Sequence, residues 1–111
     1  MRYRLLGQTG LYVSELCLGT MTFGGAGGIW EAIGKLQQND VDEQVRVGVE
    51  AGINFIDTAN VYSHGLSETL LGQALKNLKL PRHQLIVATK ATGIMNETPN
   101  GRGQSRHHLF N

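Results

Sequence analysis

The chain has 111 residues, of which 41% are hydrophobic, and this composition matches a single domain with enough apolar side chains for a core. Its formal net charge is +1 with acidic and basic residues interspersed, so the charge pattern favours neither a nucleic-acid nor a membrane partner. A single cysteine excludes an intrachain disulfide, and no apolar run resembles a signal peptide or a membrane span, so we expect a cytoplasmic protein.

The first predicted elements are a hairpin, a short strand and a long loop. Apolar residues on both sides of "GQTG" predict a hairpin over residues 3–13. The segment "ELCLG" predicts a buried strand over residues 16–18 that ends at Gly19, with Cys17 as a small buried residue. The glycine-rich, weakly periodic residues 20–39 predict a long loop, which in a compact domain is usually functional or mobile.

A helix and a strand follow this loop. Valines that recur every four residues predict a helix over residues 41–51, and Asp40 with Glu43 resembles a capping pair at its start. Gly52 is expected to end this helix. The segment "INFID", residues 53–57, is too short and too rich in β-forming residues for a helix, so it predicts a strand.

The remaining elements repeat this alternation. A stripe of leucine and alanine residues predicts a second helix with Ser67 as its N-cap and Pro81 beyond its end. A third strand is predicted over residues 85–89, and Ser105 is expected to cap a helix that begins at Arg106. Strands and helices that alternate at this spacing predict an α/β fold with a parallel sheet.

Polar residues stand at the point where each of three predicted strands ends. Gly19 and Thr20 follow the first strand, Asp57 ends the second, and Lys90 follows the third. Ligands of parallel α/β sheets bind beyond the carboxyl ends of the strands. The sequence therefore predicts a functional edge at these residues.

Asp57, Tyr62 and Lys90 together suggest a proton donor. A phenol has a pKa of about 10, and a nearby ammonium favours the phenolate, which makes the phenol a better acid. A carboxylate beside the ammonium keeps the ammonium charged and in place. This arrangement suits general-acid catalysis at a carbonyl oxygen that gains negative charge. The alternative is structural: an aspartate that forms a turn, a tyrosine that packs in a loop and a solvated lysine.

The chain resembles the amino-terminal part of the aldo-keto reductases in three segments, "MRYRLLGQTGLYVSELCLGTMTFGG", "GINFIDTANVYSHGLSETLLGQAL" and "IVATK". The resemblance implies that residues 1–111 form a partial aldo-keto reductase domain, with the hairpin and about three βα units of a (β/α)8 TIM barrel. It also implies an oxidoreductase that reduces a small aldehyde or ketone with NADP(H) and needs no metal. Tyr62 would be the general acid, assisted by Lys90 and Asp57. Gly19, Thr20 and Met21 would lie against the nicotinamide ribose, with Asp57 also at the cofactor.

The chain departs from the family in two features. The family's catalytic histidine ends a fourth strand, which is not present here, and His64 in the loop of Tyr62 is the candidate to replace it. The other three histidines are interpreted as surface residues, namely His83, His107 and His108. The family's residues for the cofactor phosphates also lie outside this sequence, and "GGAGG" matches neither the dinucleotide-binding nor the P-loop pattern. This run is interpreted as a flexible active-site loop, with Phe23 and Trp30 either facing the substrate or packing locally.

The length of the chain argues against a closed barrel. A (β/α)8 barrel typically has about 250 residues, so three units would leave strand edges and one sheet face bare. Three explanations stay open: a truncated gene product, part of a longer enzyme, or a fragment that covers its strand edges by self-assembly or with another chain. Two other functions also stay open, an inactive fragment and a nucleotide-binding regulatory subunit that resembles the β subunits of potassium channels.

Overall fold

Two short strands form the predicted hairpin in the computed structural model, which describes residues 1–110. Strand β1 (Tyr3–Leu5) pairs antiparallel with β2 (Tyr12–Ser14). The amide of Asn54 donates to the Tyr12 carbonyl at 3.0 Å, and its Oδ1 accepts the Ser14 N–H at 2.7 Å. These bonds fix the hairpin to the segment that enters the main sheet.

The main sheet has three parallel strands, as the alternation of elements predicts. Strands β3 (Leu18–Gly19), β4 (Phe55–Asp57) and β5 (Ile86–Ala88) lie in that order. The register places Gly19 opposite Asp57, so the carboxyl ends of neighbouring strands meet at one edge. Within residues 1–110, β3 and β5 each have one strand neighbour, so the sheet stays open. The predicted absence of a closed barrel is confirmed for the described residues.

The core lies between this sheet and two helices, α2 (Gln38–Glu50) and α3 (Leu66–Asn77). Ile56 in the central strand is fully buried, as are Val41 and Val45 on the predicted apolar face of α2. Apolar burial of this kind provides the main favourable free energy of folding. The buried apolar cluster consists of Phe23, Val41, Val45, Ile56, Leu70, Leu71, Ala74 and Leu85.

The caps of the two long helices differ from the prediction. Helix α2 begins earlier than predicted, and its capping box joins Gln37 to Asp40, whose carboxylate accepts the Gln37 N–H at 3.1 Å. Helix α3 follows Gly65 in a left-handed conformation, so Ser67 lies inside the helix. The Ser67 hydroxyl instead donates to the Thr20 carbonyl at 2.7 Å. A serine near the start of a helix can thus bond to a residue distant in sequence instead of capping the helix.

The predicted loop over residues 20–39 contains more structure than expected. It includes the short helix α1 (Ile29–Ile33) and a parallel bridge between Phe23 and Leu36. Phe23 has no exposed surface and belongs to the core, so the interpretation of this side chain as substrate-facing is wrong.

Cys17 is exposed, and its predicted burial is also wrong. Leu18 packs against the core. Cys17 precedes β3, which begins at Leu18 and not at Leu16 as predicted.

The last element is helix α4 (Arg106–Leu109), which begins where the sequence predicts. The Ser105 side chain caps it by accepting the N–H of His108 at 3.1 Å. No helix within the described residues is long and apolar enough to cross a membrane.

Candidate functional site

The parallel sheet brings Asp57 and Lys90 together at its carboxyl edge. Asp57 is the last residue of the central strand, and Lys90 comes two residues after β5. The Lys90 ammonium donates to Asp57 Oδ2 at 2.7 Å and to the Thr58 carbonyl, also at 2.7 Å. Both charged side chains stay partly exposed, so the pair lies at the surface of the described chain.

The environment of Lys90 keeps its ammonium charged. Burial alone would lower the pKa of Lys90, but the hydrogen bond to Asp57 and the interaction with Tyr62 raise this pKa above its ordinary value. The Lys90 nitrogen lies 5.0 Å from the centroid of the Tyr62 ring, within the range of a cation–π contact. The three residues singled out from the sequence are therefore neighbours in space.

A strained turn presents Tyr62 to this edge. Tyr62 begins a 3₁₀ turn (Tyr62–Gly65) in which Ser63 and His64 have φ values of 49° and 54°. A left-handed backbone costs a residue other than glycine about 1–2 kcal/mol, so other contacts must stabilise the turn. The ring of Trp30 meets the Tyr62 ring edge-on, with centroids 5.8 Å apart. Trp30 thus lies at the site, whereas Phe23 from the same segment is in the core.

The histidines lie in different places. His64 is exposed in the Tyr62 turn, and His83 and His107 are exposed outside it. His108 is only partly exposed, and its buried Nε2 has no hydrogen-bond partner among the described residues. His108 lines a cavity of about 510 Å³ together with Lys90.

A second cavity lies on the Tyr62 side of Lys90. Its volume is about 600 Å³, and Ala59, Val61 and Leu109 provide apolar walls. Volumes of a few hundred Å³ are typical of small-molecule sites. The cavity, which Tyr62 and Lys90 also line, is therefore large enough for a small organic molecule.

The end of β3 provides a partial fit for a cofactor. A Cβ placed on Gly19 would meet no atom within 4 Å, so the backbone there is open to close approach, and Met21 is 44% exposed. Thr20 has no exposed surface, and its hydroxyl lies within hydrogen-bond distance of the Ser67 hydroxyl, at 3.0 Å. Of the three residues, Gly19 and Met21 are therefore accessible to a bound molecule and Thr20 is not. Among residues 1–110, no group of three or more His, Cys, Asp or Glu side chains is placed to hold a metal ion.

Ser63 is a contributor to the site that the sequence analysis missed. Its hydroxyl donates to the Phe23 carbonyl at 3.1 Å and accepts the Gly25 N–H at 2.8 Å. Both partners are about forty residues away in the chain. No local pattern marks such a contact, and an unusual left-handed serine becomes visible only in the folded backbone.

Comparisons with known proteins identify the family of the chain. The model of the aldo/keto reductase family matches residues 15–110. A rice (Oryza sativa) protein named "Probable voltage-gated potassium channel subunit beta" is 37% identical over 98% of this chain and 30% of its own length. An aldo-keto reductase of Fusarium vanettenii is 36% identical over 96% of this chain and 29% of its own length.

A solved structure has the same fold over this region. The holo form of an aldo-keto reductase from Bacillus halodurans superposes with a TM-score of 0.69 and 32% sequence identity. The match covers 93% of this chain but 30% of that protein. The chain thus spans about a third of the length of the relatives and of the solved structure that it matches.

Proposed function

Because this chain belongs to the aldo/keto reductase family, we propose that it carries part of the active site of a reductase that converts aldehydes or ketones to alcohols with NADP(H). One observation supports the proposal above others: Lys90 bonds to Asp57 at 2.7 Å and lies 5.0 Å from the Tyr62 ring. A charged ammonium between a carboxylate and a phenol is the arrangement that favours proton release from the phenol.

In this proposal Tyr62 is the general acid. Its hydroxyl donates a proton to the carbonyl oxygen, which gains negative charge as the carbonyl carbon is reduced. Lys90 stabilises the phenolate that remains, and Asp57 holds the Lys90 ammonium charged and oriented. NADPH supplies the hydride when bound. The hydride and the proton together turn a carbonyl into an alcohol, and solvent then restores the proton on Tyr62.

The end of β3 would bind the nicotinamide part of the cofactor. Gly19 leaves room for the ribose and Met21 offers an exposed apolar side chain, while Asp57 lies opposite Gly19 in the register. Thr20 would contribute by fixing the backbone through its contact with Ser67. The preference for NADP(H) and a cytoplasmic location are further parts of this proposal.

A regulatory role is a second candidate function. The 37% identity to the rice protein named as a potassium channel β subunit favours it, because the same nucleotide site could serve regulation. The unpaired edges of β3 and β5 would be covered in either case by further strands, from a longer chain or by self-assembly.

The two functions and an inactive fragment separate in one experiment. The purified chain is titrated with NADPH while Trp30 and cofactor fluorescence are recorded, and reduction of a small aldehyde is followed by NADPH absorbance. A reductase is expected to bind NADPH saturably and to lose about 10²–10⁴-fold in kcat on Tyr62→Phe with unchanged NADPH binding. Tyr12→Phe is the matched control, because Tyr12 is exposed on the hairpin away from the edge.

Each outcome has a definite meaning. Binding without turnover supports the regulatory role, and a folded chain that binds no NADPH supports the inactive fragment. Equal kcat for the Tyr62→Phe and Tyr12→Phe variants would exclude Tyr62 as the general acid.

A further inference from the structure

The Ser63 hydroxyl joins two segments that are distant in sequence. Ser63 is 1% exposed, and its hydroxyl makes both of its hydrogen bonds to the backbone, at Phe23 and Gly25. The contact is close, because a Cβ on Gly24 would lie 2.9 Å from the Ser63 side chain. The left-handed backbone of Ser63 therefore has a specific compensating contact.

Gly25 is also the first residue of a loop over residues 25–34 whose two ends are in contact. A Cβ on Gly25 would lie 1.8 Å from the Gly34 carbonyl oxygen, so residues 25 and 34 are in direct backbone contact. The loop between them contains α1, and this helix carries Trp30 to the Tyr62 ring. The base of the loop and its tip thus contact the same turn at successive residues, Ser63 and Tyr62.

We propose that Ser63 is a positioning residue that holds the loop over residues 25–34 against the Tyr62 turn. Its hydroxyl fixes the base of the loop, which keeps Trp30 edge-on to the Tyr62 ring. The Tyr62 ring is then held between Trp30 and the Lys90 ammonium. The inference rests on the proposed function in one respect, namely that Tyr62 is the functional residue whose position matters.

The test compares variants of the full chain by NMR. Ser63→Ala removes the hydroxyl and is expected to weaken the cross-peaks between the Trp30 and Tyr62 rings. Loss of a hydrogen bond shifts an opening equilibrium by about tenfold. The Gly34 N–H, which bonds to the Trp30 carbonyl at 2.8 Å and not to Ser63, should therefore exchange about tenfold faster with solvent.

The matched control is Ser14→Ala. Ser14 is also a buried serine whose hydroxyl makes two hydrogen bonds, and it lies in the hairpin. The Ser14→Ala variant is expected to lose stability but to retain the cross-peaks between the Trp30 and Tyr62 rings. Its Gly34 N–H should exchange no faster than the lower global stability by itself explains.

A second variant keeps the test decisive if Ser63→Ala does not fold. Ser63→Gly lacks the hydroxyl but adopts a left-handed backbone without strain, so it should fold and show the same changes. Unchanged ring cross-peaks and Gly34 exchange in a folded Ser63→Gly or Ser63→Ala variant would overturn the proposal. No cofactor or substrate is present in these measurements, so a failure of the proposed reductase activity is a separate result.

Discussion

Two aromatic residues from one glycine-rich segment should respond to truncation in opposite ways. Phe23 has no exposed surface and packs in the main core, whereas Trp30 is partly exposed and contacts Tyr62. We expect Phe23→Ala to destabilise the chain strongly and Trp30→Ala to destabilise it little. The comparison separates a core residue from a residue at the site.

The burial of each ring sets the size of the expected effect. Truncation of a fully buried phenylalanine costs about 3–5 kcal/mol, because apolar burial is lost and a cavity is left behind. Loss of an edge-to-face pair, as between Trp30 and Tyr62, costs about 0.5–1.5 kcal/mol. At about 4 °C per kcal/mol, Phe23→Ala should lower Tm by about 12–20 °C and Trp30→Ala by about 2–6 °C.

Urea unfolding followed by circular dichroism measures both variants on one scale. Small domains have free energies of unfolding of about 5–15 kcal/mol, so Phe23→Ala can leave a substantial unfolded population. Phe23→Leu restores much of the lost volume and should recover a large part of the stability. A Phe23→Ala variant that loses no more free energy of unfolding than Trp30→Ala would refute the placement of Phe23 in the core.

Two further predictions concern lysines. Lys79 follows α3 with a left-handed φ of 52°, a position that favours glycine, so Lys79→Gly should raise the free energy of unfolding by about 1 kcal/mol. A lower Tm for Lys79→Gly in calorimetry would contradict this reasoning. The fold raises the pKa of Lys90, so its contribution to stability is complete below the unfolded pKa of about 10.4 and is lost as pH rises through the folded value. Urea unfolding across this range should therefore show a smaller alkaline loss of stability in Lys90→Met than in the unmodified chain; equal losses would exclude the linkage.

The functional edge was predictable because it follows from local patterns. The spacing of apolar residues distinguishes strands from helices. Strands that alternate with helices along the chain form a parallel sheet, in which the carboxyl ends of the strands meet at one edge. Asp57 and Lys90 are next to those ends in the sequence, so their location at one edge was predictable, whereas the 2.7 Å contact between them is seen only in the structure. The resemblance to a known family added roles for these residues that spacing alone does not provide.

The caps of the two long helices are features that local sequence patterns did not predict correctly. The Asp40 carboxylate accepts the N–H of Gln37, the residue just before α2. The Ser67 hydroxyl donates to the distant Thr20 carbonyl instead of capping α3. A polar residue near a helix start has several satisfactory partners, and the sequence does not rank them.

The amino-acid sequence by itself determined the order of the main strands and of the two long helices, the polar edge and the family. The strand and helix periods and the family motifs are local patterns, and parallel pairing then brings the strand ends together. Only the tertiary structure decided which side chains of the glycine-rich segment enter the core and which reach the site. Trp30 contacts Tyr62 and Ser63 bonds to Phe23, and the partners of each contact are about 30 to 40 positions apart in the chain. Such contacts depend on how the loop closes on the Tyr62 turn, and that closure is a property of the packed chain and not of any local spacing.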